Sequence, residues 1–150
     1  MSVLAWGKPT VEYGPSIDGA PATVFETMPE IKEGTAKLTT TAGTTTDAKE
    51  EGGDRVDFRT GTNTYMFEFE LFQKSGDTKP ITDTDGVILT EHTVRLTPED
   101  TTVEGFIIDR ANVQVTESWS SADGTLWKYT FNALKPATGT VLKQYLKPVV

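Results

Sequence analysis

The segment Thr64–Lys74 reads Thr-Tyr-Met-Phe-Glu-Phe-Glu-Leu-Phe-Gln-Lys and has the clearest periodicity in the chain. Large apolar side chains occupy its odd positions from Tyr65 to Leu71, whereas Glu68 and Glu70 occupy even positions between them. Side chains alternate between the two faces of an extended backbone, so this pattern predicts a strand with one apolar and one acidic face. The rest of the chain is expected to pack against the apolar face.

Other segments have the same extended character but are shorter. Ser120–Gly124 is predicted to be a hairpin loop. Thr97 followed by Pro98 is typical of a helix start, but Gly105 limits this element to one turn. The sequence therefore predicts an all-β chain, an antiparallel β-sandwich or partly open barrel with at most one short helix. The remaining predicted strands are 8–13, 23–28, 35–41, 55–59, 87–96, 103–109, 111–119, 125–134 and 141–147.

Composition narrows the possible functions. The chain has 150 residues, a formal charge of -8 and no cysteine. This length suits a single domain, residues 1–150, and the absence of cysteine excludes disulfides and thiolate metal sites. Tight binding of nucleic acid requires a stripe of basic residues. The acidic composition of this chain therefore disfavours such binding. We see neither a long apolar span nor a signal peptide. We therefore expect that the chain is made in the cytoplasm and does not associate with a membrane.

Residues 41–54 are the least regular part of the sequence, because they are almost entirely polar and show no period. One interpretation is a mobile surface loop. The other is an arm that orders against a neighbouring subunit, since long loops in compact domains are often functional. The candidate interface residues of this long polar loop are Thr44, Asp47, Lys49, Glu50, Glu51 and Asp54.

The sequence offers few candidates for chemistry. The single histidine, His92, cannot form a histidine pair or a three-histidine zinc site, so we expect it at the surface or half-buried. Asp83-Thr84-Asp85-Gly86 resembles the middle of a calcium loop, but that register places Ile81 and His92 at ligand positions. An Asp-Gly turn leading into a strand explains these residues better.

The remaining candidates for a functional site are a pair of carboxylates and two large aromatic residues. Glu68 and Glu70 have a spacing that overlaps the one used by glycosidases, although a solvated strand face is the usual explanation. Trp119 and Trp127 could stack a ligand, but large aromatics more often fill a core or an interface. No nucleophile lies beside a base and no phosphate-binding loop is present, so we expect no enzymatic activity, cofactor or metal.

Several features follow one another along the chain. They are a short N-terminal strand, a polar loop ending in Glu50-Glu51-Gly52-Gly53-Asp54, the Phe/Glu strand, Asp85-Gly86-Val87, Leu96-Thr97-Pro98-Glu99-Asp100, Gly105-Phe106 and Ala122-Asp123-Gly124-x-x-Trp127-x-Tyr129-x-Phe131. In this order they resemble the phage tail tube family, in particular small tail proteins of phages and prophages from Bacteroidetes-type bacteria. The resemblance spans nearly the whole chain.

The resemblance implies a β-sandwich subunit that assembles into hexameric rings, in which one sheet of each subunit joins a barrel around the lumen. The type VI secretion tube protein shares this architecture. For this chain it implies that the 41–54 loop is the inter-ring arm and that Glu68 and Glu70 face the lumen. The implied partners are other copies of the chain and other tail proteins, and the implied location is the virion tail. Tail tube proteins usually carry one packed helix, which this sequence does not show.

Our leading hypothesis is a structural subunit of stacked rings through which DNA passes. Fixed negative charge on the lumen wall would repel the phosphates and keep passage loose. The alternative is a non-catalytic, immunoglobulin-like binding or decoration module on a phage particle or a cell surface.

Overall fold

The computed structural model describes residues 6–148, and these residues form strands, turns and loops without a helix. The predicted all-β fold class is therefore confirmed. The segment with alternating apolar and acidic residues forms β6. The strands are β1 Thr10–Pro15, β2 Glu26–Thr27, β3 Lys37–Thr41, β4 Thr45–Lys49, β5 Arg55–Thr60, β6 Thr64–Phe72, β7 His92–Thr97, β8 Gly105–Ser120, β9 Gly124–Ala133 and β10 Leu142–Tyr145.

Eight of these strands form one antiparallel sheet in the order β2-β1-β7-β8-β9-β6-β3, with β10 also paired to β8. The remaining two, β4 and β5, form a separate two-stranded sheet. The predicted hairpin loop is confirmed, because Ser120 pairs with Gly124 across it. The sequence allowed at most one helical turn near Pro98, and the structure has no helix there. The carboxylate of Asp100 accepts hydrogen bonds from the backbone and hydroxyl of Thr102 instead, which favours a turn over a helix.

Strand β8 is one continuous element where the sequence predicted two. A bulge explains the difference: His92 pairs with Ala111 and Val94 with Ile108, so β8 has one more residue than β7 across this interval. An extra residue exchanges the two faces of a strand, which moves the buried positions from Ile108 to Ala111 and Val113. The sequence pattern therefore predicted both strand segments but not the continuity of the backbone between them.

Hydroxyl groups satisfy the backbone at this bulge. The carbonyl of Asp109 accepts hydrogen bonds from the hydroxyls of Thr93, at 2.7 Å, and Ser16, at 2.8 Å. The Thr93 hydroxyl in turn accepts the backbone N–H of Ala22 at 2.9 Å. Because an unpaired buried carbonyl would be costly, these contacts allow the ladder to break without leaving the carbonyl unsatisfied.

The sheet folds over itself into a sandwich-like arrangement around an aromatic core. One layer contains β3, β6, β9 and the second half of β8, and the other contains β1, β2, β7, β10 and the first half of β8. Phe67 of β6 meets Phe106 of β8 edge-on, with ring centroids 5.1 Å apart, although their strands are not paired at this position. Contact between unpaired strands shows that the two layers face each other.

Phe69 lies at the centre of this core. Its ring stacks on Phe131 at 5.8 Å and on Tyr129 at 6.1 Å. The hydroxyl of Tyr129 donates to the carbonyl of Ile81 at 2.8 Å, and burial raises the pKa of Tyr129 to about 12. The hydrogen bond satisfies the one polar atom that this ring brings into the core.

We predict that Phe69→Ala lowers the free energy of unfolding by about 3–5 kcal/mol, because it removes a fully buried ring and leaves a cavity. Equilibrium urea unfolding measures this change. The matched control is Trp119→Ala, which removes an exposed aromatic and should change stability by less than about 0.5 kcal/mol. Equal losses for the two variants would contradict this description of the core.

Candidate functional site

The segment predicted as a long polar loop, residues 41–54, is mostly a β-hairpin, and the loop prediction is wrong. Strand β4 pairs with β5 from Thr45 opposite Thr60 to Lys49 opposite Arg55. Both faces of β4 are exposed, so no apolar alternation marks it in the sequence. The six candidate residues lie along it: Thr44 before β4, Asp47 and Lys49 within β4, and Glu50, Glu51 and Asp54 in the turn.

The hairpin, defined here as residues 45–60, continues from the edge of the main sheet. Its base follows the last pair between β3 and β6, Thr41 with Thr64. Two glycines lie at the junction: the N–H of Gly61 donates to the Thr44 carbonyl at 2.7 Å, and a Cβ on Gly43 would lie 2.1 Å from the Gly61 carbonyl oxygen. No other residue fits this crossing of the backbones. The main sheet thus holds the base of the hairpin.

The hairpin has no core of its own, since every residue of β4 and β5 is exposed. Val56 and Phe58 are 64% and 48% exposed, respectively. The guanidinium of Arg55 lies 4.8 Å from the centroid of the Phe58 ring and forms an ion pair with Asp47 at 3.1 Å. Strands of five residues rise by about 17 Å, so the hairpin is long enough to contact another molecule.

A two-stranded hairpin is only marginally stable alone in water. Exposed apolar side chains on such an element are typical of a surface that a partner covers. Sequence reasoning placed Val56 and Phe58 in a strand but did not identify them as interface residues. A signal was present, because Gly43 and Gly61 lie symmetrically about Gly52 in the turn. Glycines at these positions permit the close crossing at the base and the positive φ in the turn.

The acidic face predicted for β6 is not acidic. Glu68 is buried, with only 8% of its side chain exposed, and its carboxylate oxygens contact Lys37 at 3.2 Å and Lys128 at 3.0 Å. These lysines project from the flanking strands β3 and β9. Glu70 is half-buried on the same face. Two carboxylates and two ammonium groups balance in charge, so this face carries no net charge near β6.

The ion pairs alter the titration of Glu68. Hydrogen bonding to Lys128 lowers its pKa most, burial opposes that effect, and Lys37 lowers it further. A carboxylate held by two cations is a structural group here, because its oxygens are already engaged. The arrangement does not support the alternative of a catalytic carboxylate pair.

The other candidate residues also have structural contacts. Asp85 and Gly86 both adopt positive φ, and the carboxylate of Asp83 accepts the Gly86 N–H at 2.7 Å, so the predicted Asp-Gly turn is confirmed. His92 is buried rather than exposed or half-buried, and burial lowers its pKa. Trp127 is buried and donates to Glu117, whereas Trp119 is exposed.

Over residues 6–148, no group of three or more His, Asp or Glu side chains is arranged to hold a metal ion. Nor does the described part of the chain include a helix able to cross a bilayer. Comparison with known proteins gave no match to a family model and no significant match to a curated protein.

We predict that Glu68→Gln lowers the free energy of unfolding at neutral pH by about 1–3 kcal/mol, because it weakens two charge-assisted hydrogen bonds. The folded-state pKa of Glu68 lies below its ordinary value of 4.5. The stabilisation is therefore present above pH 4.5 and is lost as the pH falls through the folded-state pKa.

Urea unfolding from neutral to acidic pH measures this difference. Glu70→Gln is the control, since none of the ion pairs among the described residues includes Glu70. Its stability should follow the wild type closely at every pH. A gap between wild type and Glu68→Gln that persists at the acid limit would contradict the role given to the lysine contacts.

Proposed function

We propose that this chain is a structural subunit that assembles with copies of itself into stacked rings, forming a phage tail tube through which DNA passes. The observation that supports the proposal best is the hairpin of residues 45–60, which extends from the sheet with Val56 and Phe58 exposed. The sequence resemblance assigns residues 41–54, which include the first strand and the turn of this hairpin, to contact between rings. Geometry and resemblance therefore favour the same surface.

The free edge of the main sheet, at β3, is consistent with self-assembly. Strand β3 pairs only with β6, so its other edge offers unpaired backbone groups. Its residues are mostly exposed, and it carries Lys37 but no proline or bulge that would block a further strand. Pairing of this edge with another copy would extend the sheet from subunit to subunit, as a closed ring requires.

In this proposal Glu68 and Glu70 lie on the face that lines the lumen. Their surroundings change the expected mechanism, because Lys37 and Lys128 balance the two carboxylates. Apart from Lys128, the neighbouring outward residues of β8 and β9 include the polar, uncharged Gln114, Thr116 and Thr130. Such a wall would present no array of free cations to the phosphates, so DNA would pass without being held.

A binding or decoration module is the alternative function. The observation that favours it is Trp119, which is exposed near the end of β8 beside the loop to β9. Exposed tryptophans provide stacking surfaces for ligands. Saturable binding on a carbohydrate array, lost in Trp119→Ala, would support this function, and a purified protein that forms no assemblies at high concentration would favour it over the tube.

We predict that replacing residues 45–60 with Asn-Gly leaves the fold intact and abolishes assembly. The backbones of Thr44 and Gly61 are already hydrogen-bonded, so a two-residue turn can join them. Sedimentation and negative-stain imaging should show rings or tubes for the wild type and monomers for the shortened chain. Thermal unfolding should show similar cooperative transitions for both.

The point variant Phe58→Ser tests the same surface without changing chain length. Phe58 is exposed and outside the main core, so monomer stability should change by less than about 0.5 kcal/mol while assembly weakens. Thr46→Ser, on the opposite face of the hairpin, is its control. Assemblies that form equally well without the hairpin would contradict the proposed function.

A further inference from the structure

A second apolar surface lies on the opposite edge of the β3-β6-β9-β8 layer. Val87 extends this layer beyond β8 through a bridge to Gln114. Val24, Val87 and Leu89 are all exposed, Leu89 by 94%, and they line one cavity of about 520 Å³. We call these three residues the cavity rim. Exposed aliphatic side chains gathered around a concavity are typical of a docking surface.

Hydrogen bonds fix the interior of the cavity. The Tyr13 hydroxyl donates to Glu26 at 2.9 Å, and His92 contacts the carbonyl of Thr90 through Nδ1 at 2.9 Å. Glu26 is exposed at the cavity wall, and no ion pair among the described residues involves it. The cavity therefore combines an apolar rim with one carboxylate available to a cation.

The hairpin has the complementary features. Its exposed Val56 and Phe58 suit an apolar rim, and the guanidinium of Arg55, which lies 4.8 Å from the centroid of the Phe58 ring and pairs with Asp47, would come close to Glu26. Within one chain the two surfaces lie at opposite edges of the same layer, because the hairpin leaves the β3-β6 edge and the cavity lies beyond β8. Two intervening strand pairings, β6 with β9 and β9 with β8, separate them.

We propose that the cavity rim of one subunit receives Val56 and Phe58 of the hairpin of a second copy of this chain. This inference rests on the proposed function and adds the receiving surface. Contact between two different surfaces is heterologous, so a bound pair of copies keeps one free hairpin on one copy and one free cavity on the other. Repetition of the contact builds a ring or a stack, whereas a self-complementary contact would stop at a dimer.

The chain contains no cysteine, so introduced thiols report this contact directly. The experiment mixes full-length Val56→Cys with full-length Leu89→Cys under mild oxidation and measures the disulfide-linked heterodimer by non-reducing electrophoresis. We expect at least several times more heterodimer than in the control mixture of Val56→Cys with Ile17→Cys, which places the thiol on another exposed apolar residue. Equal yields in the two mixtures would overturn the inference.

Leu89→Asp tests the contact without a crosslink. Because Leu89 is almost fully exposed, the monomer should unfold at the wild-type temperature while assembly is lost; Ile17→Asp should leave assembly unchanged. If the hairpin deletion prevents assembly but Leu89→Asp does not, the receiving surface is elsewhere and the proposed function stands. If the wild type forms no assemblies, both the inference and the proposed function fail.

Discussion

The packing of aromatic rings from β6 and β9 against the facing layer is the interaction on which the rest of the structure depends. The ring centroids of Phe67 and Phe69 lie 5.4 Å apart, and the rings of Phe131 and Tyr129 pack beside them. Fully buried rings of this size contribute large apolar areas to the core. This packing also fixes β6, whose first residues hold the base of the hairpin. The core therefore determines where the exposed hairpin extends.

Two local features of the backbone add to this core: a bulge in β8 and a pair of glycines at the base of the hairpin. The bulge at Asp109 lets β8 serve both layers, because it redirects the strand and exchanges its faces. The glycine crossing at Gly43 and Gly61 separates the hairpin from the sheet, so the hairpin contributes nothing to the core. The hairpin is therefore held at its base and exposed along its length, and the proposed function assigns this surface to contact with another copy.

The sequence predicted the strands in which buried and exposed residues alternate. It missed the strand and the contacts that leave no such alternation. The faces of β6 and β9 followed from alternation, since each has one buried side. Strand β4 has no buried side, so its residues resembled a loop. The environment of Glu68 was also missed, because its lysine partners come from strands distant in sequence and strand order cannot be read from alternation. Val56 and Phe58 were predicted to lie in a strand. Their exposure could not be predicted, because it depends on tertiary structure.

The central claim is that another copy of the chain covers the hairpin. Hydrogen–deuterium exchange of residues 45–60, measured in dilute and in concentrated protein, tests it most directly, with the amides of β6 and β9 as the internal reference. A hairpin without a core should exchange rapidly in the dilute monomer. The account predicts strong slowing of this exchange in the concentrated protein, while the reference amides stay protected in both. Hairpin amides that exchange equally fast at both concentrations would contradict it.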